Sequence, residues 1–220
     1  MGTSKGSRRP ARENARLHSD SEIWIDHAEI VADDFEWLRR VEWLTLWNVT
    51  TPPGFLASLP QLWALDIRGG SSLDLESVDG CRGLRCLIVN QVRGLHDLAV
   101  VGGLTALEFL MVYGLKQVEV APSLGDLRSL RRLEVGQMRG LASLGGLLDA
   151  PAIEDLCLTR WVTVTTNDLE RIRAHPSLRR FEWFGEDVPV FRWRPVVEAV
   201  NLPKLNAVRP HEWFDSRERP

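Results

Sequence analysis

The strongest constraint on this chain is an apolar spacing, L-x-x-L-x-x-L-x-L, that returns about every 23 residues. It reads Leu38/Val41/Leu44/Leu46, Leu59/Leu62/Leu65/Ile67, Cys81/Leu84/Leu87/Val89 and Leu104/Leu107/Leu110/Val112. It continues as Leu127/Leu130/Leu133/Val135, Ala150/Ile153/Leu156/Leu158 and His175/Leu178/Phe181/Trp183, at steps of 21, 22, 23, 23, 23 and 25 residues. Self-similarity at such a period marks stacked repeats. Each unit buries its apolar face only against its neighbours, so the array is one elongated body. The closing L-x-L of each unit is the period-two pattern of a short strand with one buried face. Strands at the same place in successive coils align as a parallel sheet. Gly69, Gly70, Gly94, Gly114, Gly136, Gly140 and Gly185 follow these strands and suit the turns that leave the sheet. Return segments such as residues 122–127 are too short for long helices and read as loops, turns and 3-10 pieces.

On these units the chain resembles leucine-rich-repeat proteins, nearest to their short 22–23-residue bacterial, internalin-like class, over roughly Leu38 to Gly185. The resemblance implies an α/β fold: a right-handed solenoid with a parallel concave sheet and a mostly irregular or 3-10 convex side. One feature departs from the family. An Asn usually stands three residues after the last leucine and bonds backbone in the turn. Here those positions hold Val49, Gly70, Val92, Leu115, Met138, Trp161 and Glu186, so the asparagine ladder is missing.

Four segments follow: a tail over 1–16, an N-terminal cap over 17–37, the seven repeats over 38–185 and a C-terminal cap over 186–220. Lys5, Arg8, Arg9, Arg12 and Arg16 make the tail basic and, by expectation, disordered; it lacks the apolar centre of a signal peptide. Residues 21–25 alternate like one more strand and are read as a capping strand. Residues 33–36 and 167–170 fit capping boxes that open short helices, the second stopped at His175-Pro176. Residues 195–200 read as a helical turn with Pro195 first. Residues 202–205 read as a degenerate last repeat, and Trp193, Trp213 and Phe214 as closing the exposed end of the core. The longest apolar run, residues 98–107, is too short for a membrane span.

A net charge of −3 argues against a general nucleic-acid binder. Arginines outnumber lysines 24 to 3, which resembles GC-rich bacterial coding. Cys81, Cys86 and Cys157 are odd in number and not closely paired, so a reducing, cytoplasmic setting is expected rather than a disulfide framework. No phosphate-binding glycine loop, zinc-ligand spacing or nucleophile elbow is present in the sequence, and neither a cofactor nor a metal is expected. An enzymatic reading has only Cys157, with Asp155 and Arg132, to rest on.

Residues between inward leucines point to the concave face. The first outward row is Trp43, Ala64, Cys86, Phe109, Arg132, Asp155 and Arg180. The second is Thr45, Asp66, Ile88, Met111, Glu134, Cys157 and Glu182. The third is Trp47, Arg68, Asn90, Tyr113, Gly136, Thr159 and Phe184. With Trp24 from the capping strand, Trp43, Trp47, Ile88, Phe109, Met111 and Tyr113 make the N-terminal half aromatic and apolar. Arg132, Glu134, Asp155, Arg180 and Glu182 make the C-terminal half charged with both signs. Aromatic side chains of about 150–250 Å² each, five of them on one face, reach or exceed the roughly 300–600 Å² of a typical largest exposed patch. Trp, Tyr, Met and Arg are also enriched at binding hot spots. The expected function is therefore non-catalytic binding of a protein partner on the concave face, as a cytoplasmic regulator or an immunity-type inhibitor. No nucleic acid or membrane partner is expected, and the chain is read as a monomer, with a homodimer open. Three rivals stand beside this reading: a face covered by the chain's own tail or C-terminal segment, a self-associating scaffold, and an enzyme with a site near Cys157. Cys81 is expected inside, and Cys86 and Cys157 on the accessible face.

Overall fold

A computed structural model describes residues 9–218. Its centre is a nine-stranded sheet. In chain order the strands are β2 (Ala15–Leu17), β3 (Glu22–Asp26), β5 (Trp43–Trp47), β6 (Ala64–Arg68), β7 (Cys86–Asn90), β8 (Phe109–Tyr113), β9 (Arg132–Met138), β10 (Asp155–Val162) and β11 (Arg180–Phe184). They lie side by side in that order. Every pair from β3 to β11 is parallel; β2 alone runs antiparallel, on β3. The L-x-L residues are in register: Ile23, Leu44, Leu65, Leu87, Leu110, Leu133, Leu156 and Phe181 pair one to the next. The repeat spacing and the mostly parallel, one-strand-per-coil sheet thus agree with a leucine-rich-repeat-like architecture.

The leucine positions form one continuous core. Leu44, Leu65, Leu87, Leu133 and Leu156 are fully buried, and Leu110 nearly so. The other side of that core is closed by 3-10 turns at Glu76–Val78, Ala99–Gly103 and Gly145–Asp149, and by short helices α1 (Phe35–Leu38) and α2 (Phe55–Ser58). A longer helix, α3 (Thr166–Ala174), caps the seventh coil. Its box is set two residues earlier than the sequence spacing suggests. Thr165 Oγ1 accepts from the Asp168 amide (3.0 Å), and Asp168 Oδ2 accepts from the Thr165 amide (2.9 Å). In the first cap Asp34 takes the corresponding role, accepting from the Val31 amide at 2.9 Å and from Trp37 Nε1 at 2.7 Å.

Backbone replaces the missing asparagine ladder. The residue that turns the chain out of the sheet, at His27, Asn48, Gly69, Gln91 and Gly114 after their strands and at Gln137 and Arg160 near the ends of β9 and β10, adopts positive φ between 48° and 72°. At five of these the freed amide donates to the carbonyl closing the next strand: His27 to Trp47, Asn48 to Arg68, Gly69 to Asn90, Gln91 to Tyr113 and Gly114 to Gly136, all at 2.8–2.9 Å. Non-glycine residues held there cost about 1–3 kcal/mol each, and the stacked bonds hold them. With the turn satisfied by main chain, the third position after the last apolar residue of the unit is free to be apolar. Val92, Leu115 and Met138 are buried there.

The ends depart from expectation. The basic tail is ordered from Arg9: β1 (Arg9–Pro10) pairs with β4 (Ala28–Glu29), and β2 covers the free edge of β3. Ala11, fully buried, anchors this return; residues 1–8 lie outside the described part. Beyond β11, helix α4 (Val190–Val200) starts five residues before Pro195, which sits inside it. The carbonyl that Pro195 cannot bond belongs to Phe191, 74% exposed, where water can take over. The degenerate repeat forms no strand; the Phe181 amide donates to Pro203 O at 3.1 Å, and Leu202 packs on the leucine core. Trp193 packs against the end of the core as expected. Trp213 and Phe214 do not. They belong to helix α5 (Pro210–Glu218), which lies on the opposite face of the sheet.

Candidate functional site

The outer face of the sheet, turned away from the leucine core, carries every residue singled out from the sequence. It is divided along the strands rather than between its N- and C-terminal halves. In the first outward row Trp43, Ala64, Cys86, Phe109, Arg132 and Asp155 are all at most 6% exposed. Their cover is α5. Trp43, Ala64, Cys86, Ile88, Phe109, Trp213 and Phe214 form a second apolar cluster, separate from the leucine core, with Trp63, Met111 and Val208 packed on its rim. The Trp213 ring meets Phe109 edge-on at 5.6 Å and Phe214 meets Trp63 at 5.0 Å. His211 stacks on Trp43 at 3.5 Å, and its Nε2 lies 3.6 Å from Glu22. At the far end Arg217 donates to Glu154 at 3.1 Å. The contacts of α5 therefore run from β3 and β5 to the start of β10.

The charged residues are equally tied down. Arg132, 2% exposed, donates from Nε to Glu134 at 2.7 Å and from Nη2 to the Asn206 carbonyl at 3.3 Å. Its Nη1 lies 3.6 Å from Asp155, which also accepts two bonds from Arg180, at 2.6 and 2.9 Å. Burial pushes the Glu134 carboxyl up, against the pull of Arg132, and the Asp155 charge adds to the rise. These side chains are first of all partners for one another and for the segment leading to α5. Arg180 and half-buried Glu182 remain nearest to solvent.

What stays open is a strip along the ends of the strands. Trp47 is 42% exposed, and its ring lies 5.8 Å from that of half-buried Trp24. Arg68 sits over Trp24 at 5.4 Å and holds Asp66 through two bonds to Oδ2, at 2.8 and 2.6 Å. Burial pushes the Asp66 carboxyl up despite Arg68. Asp66 Oδ1, Trp24 Nε1 and Asn90 Oδ1 are buried with no hydrogen-bond partner among the described residues. Half-buried Tyr113, at the end of β8, continues the strip. Tyr113 lies where any side chain at residue 136 would sit, so Gly136 is what lets its ring lie flat across β9.

All three thiols are buried, which corrects the expectation for two of them. Cys86 is fully shielded under α5 and Cys157 is 3% exposed, against 6% for Cys81. Burial pushes Cys157 up to about 12, with Glu134 adding to the rise, and Cys86 well above its ordinary value. A thiol at Cys157 is thus held in the protonated form, the reverse of what a nucleophile needs.

The row just before the strands escaped the sequence reading. Trp63 supports Phe214, and Arg85, over both rings at 5.3–5.4 Å, donates to Glu108 at 2.7 Å. Arg131 lies 3.4 Å from Glu154. The alternation Arg85, Glu108, Arg131, Glu154 at the repeat period was the available signal. Elsewhere, a cavity of about 720 Å³ lies among the return segments, lined by Asp74, Glu76, Asp79 and Asp97 among others. Asp74 and Asp97 accept from the amides of Glu76 and Ala99, fixing their own turns. No group of metal-ligating side chains occurs among the described residues, and no helix there is long and apolar enough to cross a membrane.

No family model matches the chain, and no curated protein does. Among solved structures it is similar to an internalin from Listeria monocytogenes, at 14% identity and a TM-score of 0.29, over 84% of this chain and 73% of that one. At that score the likeness adds nothing to the strand order and register described above.

Proposed function

We propose that the chain is a non-catalytic module that binds a protein partner on the outer face of its sheet. The carrying observation is exposed Trp47 beside half-buried Trp24 and Tyr113, at strand positions where the leucine core requires no large apolar group. Aromatic anchors of this kind dominate interface energetics. Arg180 and Glu182 extend the strip with charge, while Trp43, Ile88, Phe109, Arg132, Glu134 and Asp155 serve as its buried support. A cytoplasmic regulator or an immunity-type inhibitor is the role such a module would fill.

The test is affinity capture from the native source with the chain and with its Trp47→Ala/Tyr113→Ala double variant. Loss of a well-packed anchor costs an interface about 2 kcal/mol or more, roughly thirtyfold in affinity. The variant should lose the captured partner while its melting temperature stays nearly unchanged. Equal capture by both chains would move the binding surface elsewhere. A large drop in melting temperature would make these rings internal packing.

A further inference from the structure

The apolar surface beneath α5 is built like a receptor for a helix, and α5 is attached to it like a ligand. Its aromatics join a cluster that shares no buried residue with the leucine core, so the repeats keep their own core without it. At nine residues the helix is too short to hold its shape alone. Among the described residues no backbone hydrogen bond joins it to the sheet. The pairs at its ends, His211–Glu22 and Arg217–Glu154, have side chains 28–47% exposed and hold weakly. It is tethered by residues 201–209, which form no regular structure before Pro210 and of which only Leu205 is buried.

We propose that this groove, floored by Trp43, Cys86, Ile88 and Phe109 and flanked by Trp63, is an acceptor for a helical segment. The segment carries two adjacent aromatic side chains and, one turn on, an arginine. α5 is the resident, displaceable occupant, and a partner's helix of the same chemistry takes its place. Charge complementarity sets the direction: Glu154 receives the cation that follows the aromatic pair, and Glu22 lies at the other end of the groove. The proposal rests on the outer face being a binding surface. Displacement of α5 would join the covered row of Trp43 and Phe109 to the open strip of Trp47 and Tyr113 in one aromatic surface.

The test uses the full chain with Trp213→Ala/Phe214→Ala, which empties the groove, and a fluorescent peptide of residues 209–217 as probe. Anisotropy should show saturable binding to the variant. Binding to the unaltered chain should be at least about tenfold weaker, because its own tethered helix competes at roughly millimolar effective concentration. The same peptide with both aromatics changed to alanine should not bind. A folded variant that ignores the probe overturns the proposal. So does a variant that no longer folds, since the cover would then be part of the core. Hydrogen exchange on the unaltered chain gives an independent check: the amides of residues 213–217 should exchange at least about a hundredfold faster than those of β7–β9. Equal protection overturns displaceability. None of these readouts involves the captured partner, so failure here leaves the test on Trp47 and Tyr113 untouched, and the reverse.

Discussion

The two faces of the same strands obey different rules. On the inner face each leucine is locked between the equivalent residues of the coils before and after it: Leu110 lies between Leu87 and Leu133, and all three are buried. On the outer face the neighbouring residue, Phe109, is just as buried, but by Trp213 and Phe214, more than a hundred residues further along the chain. One face is buried by repetition and the other by a single late segment. Burial by repetition cannot be undone without breaking the stack, because each unit has no other surface to use. Burial by one segment can be undone by moving that segment.

The largest effect should come from the face that cannot open. Leu110→Ala and Leu133→Ala each leave a cavity that neighbouring coils cannot collapse into, and each should cost about 2–5 kcal/mol in chemical denaturation. The loss should also speed hydrogen exchange in the adjacent coils. A change of under about 0.5 kcal/mol at both sites, the size of an ordinary surface substitution, would mean that the core face is not continuous.

A smaller effect is expected on the covered face. Full truncation of a buried Phe or Trp costs about 3–5 kcal/mol where the surroundings stay put. Around Trp213 and Phe214 they need not, because the helix can leave and water can enter. The double change to alanine should therefore cost no more than Leu110→Ala alone. Its sharper signature is chemical. Cys86, fully buried beneath α5 with its thiol pushed well up by burial, should resist thiol reagents in the unaltered chain. In the double variant it should become the fastest of the three cysteines to label, with Cys81 still slow. If Cys86 stays protected, the cover has not moved and the two faces are equally fixed.

This contrast also explains what could be read in advance. Inward positions repeat the same chemistry at a fixed period, so Leu44, Leu65, Leu87, Leu110, Leu133 and Leu156 identified strand, register and core together. The outward rows were placed just as well, because strand alternation follows once the inward set is known. Their exposure was not legible. Whether Trp43 and Phe109 meet solvent depends on where a nine-residue helix, separated from the repeats by irregular chain, comes to rest, and no period encodes that. From the sequence alone Trp213 and Phe214 fall at the end of the core, because sequence position is the only proximity available before folding. The turns show the opposite failure. The missing asparagines looked like a deficit, yet left-handed residues such as Asn48 and Gln91 carry the turn with their own amides.

The smallest expected effect probes Glu134, which holds Arg132, whose Nη2 donates to Asn206 in the segment leading to α5. Burial raises the Glu134 carboxyl above the ordinary value, Arg132 opposes the rise and Asp155 adds to it. The folded chain therefore holds this proton more tightly than the unfolded chain does. Between the unfolded and folded values the native state carries more bound protons, so this contribution favours folding below that window and is lost as pH rises through it. Arg132, itself buried, and Asp155 keep their own pairing when Glu134 becomes glutamine, and the amide oxygen can still accept from Arg132 Nε. Glu134→Gln should accordingly flatten the pH dependence of the melting temperature. Relative to the variant, the unaltered chain should lose stability on going from about pH 4.5 towards neutrality. Opening the cover should have the same consequence by another route. In Trp213→Ala/Phe214→Ala, with the segment over Arg132 loosened, water reaches Glu134, its carboxyl returns towards the ordinary value, and the difference made by Glu134→Gln should shrink. A difference that persists undiminished with the helix aromatics removed would show that the sheet alone buries Glu134. The boundary between the fixed and the movable face would then lie closer to α5 than its contacts suggest.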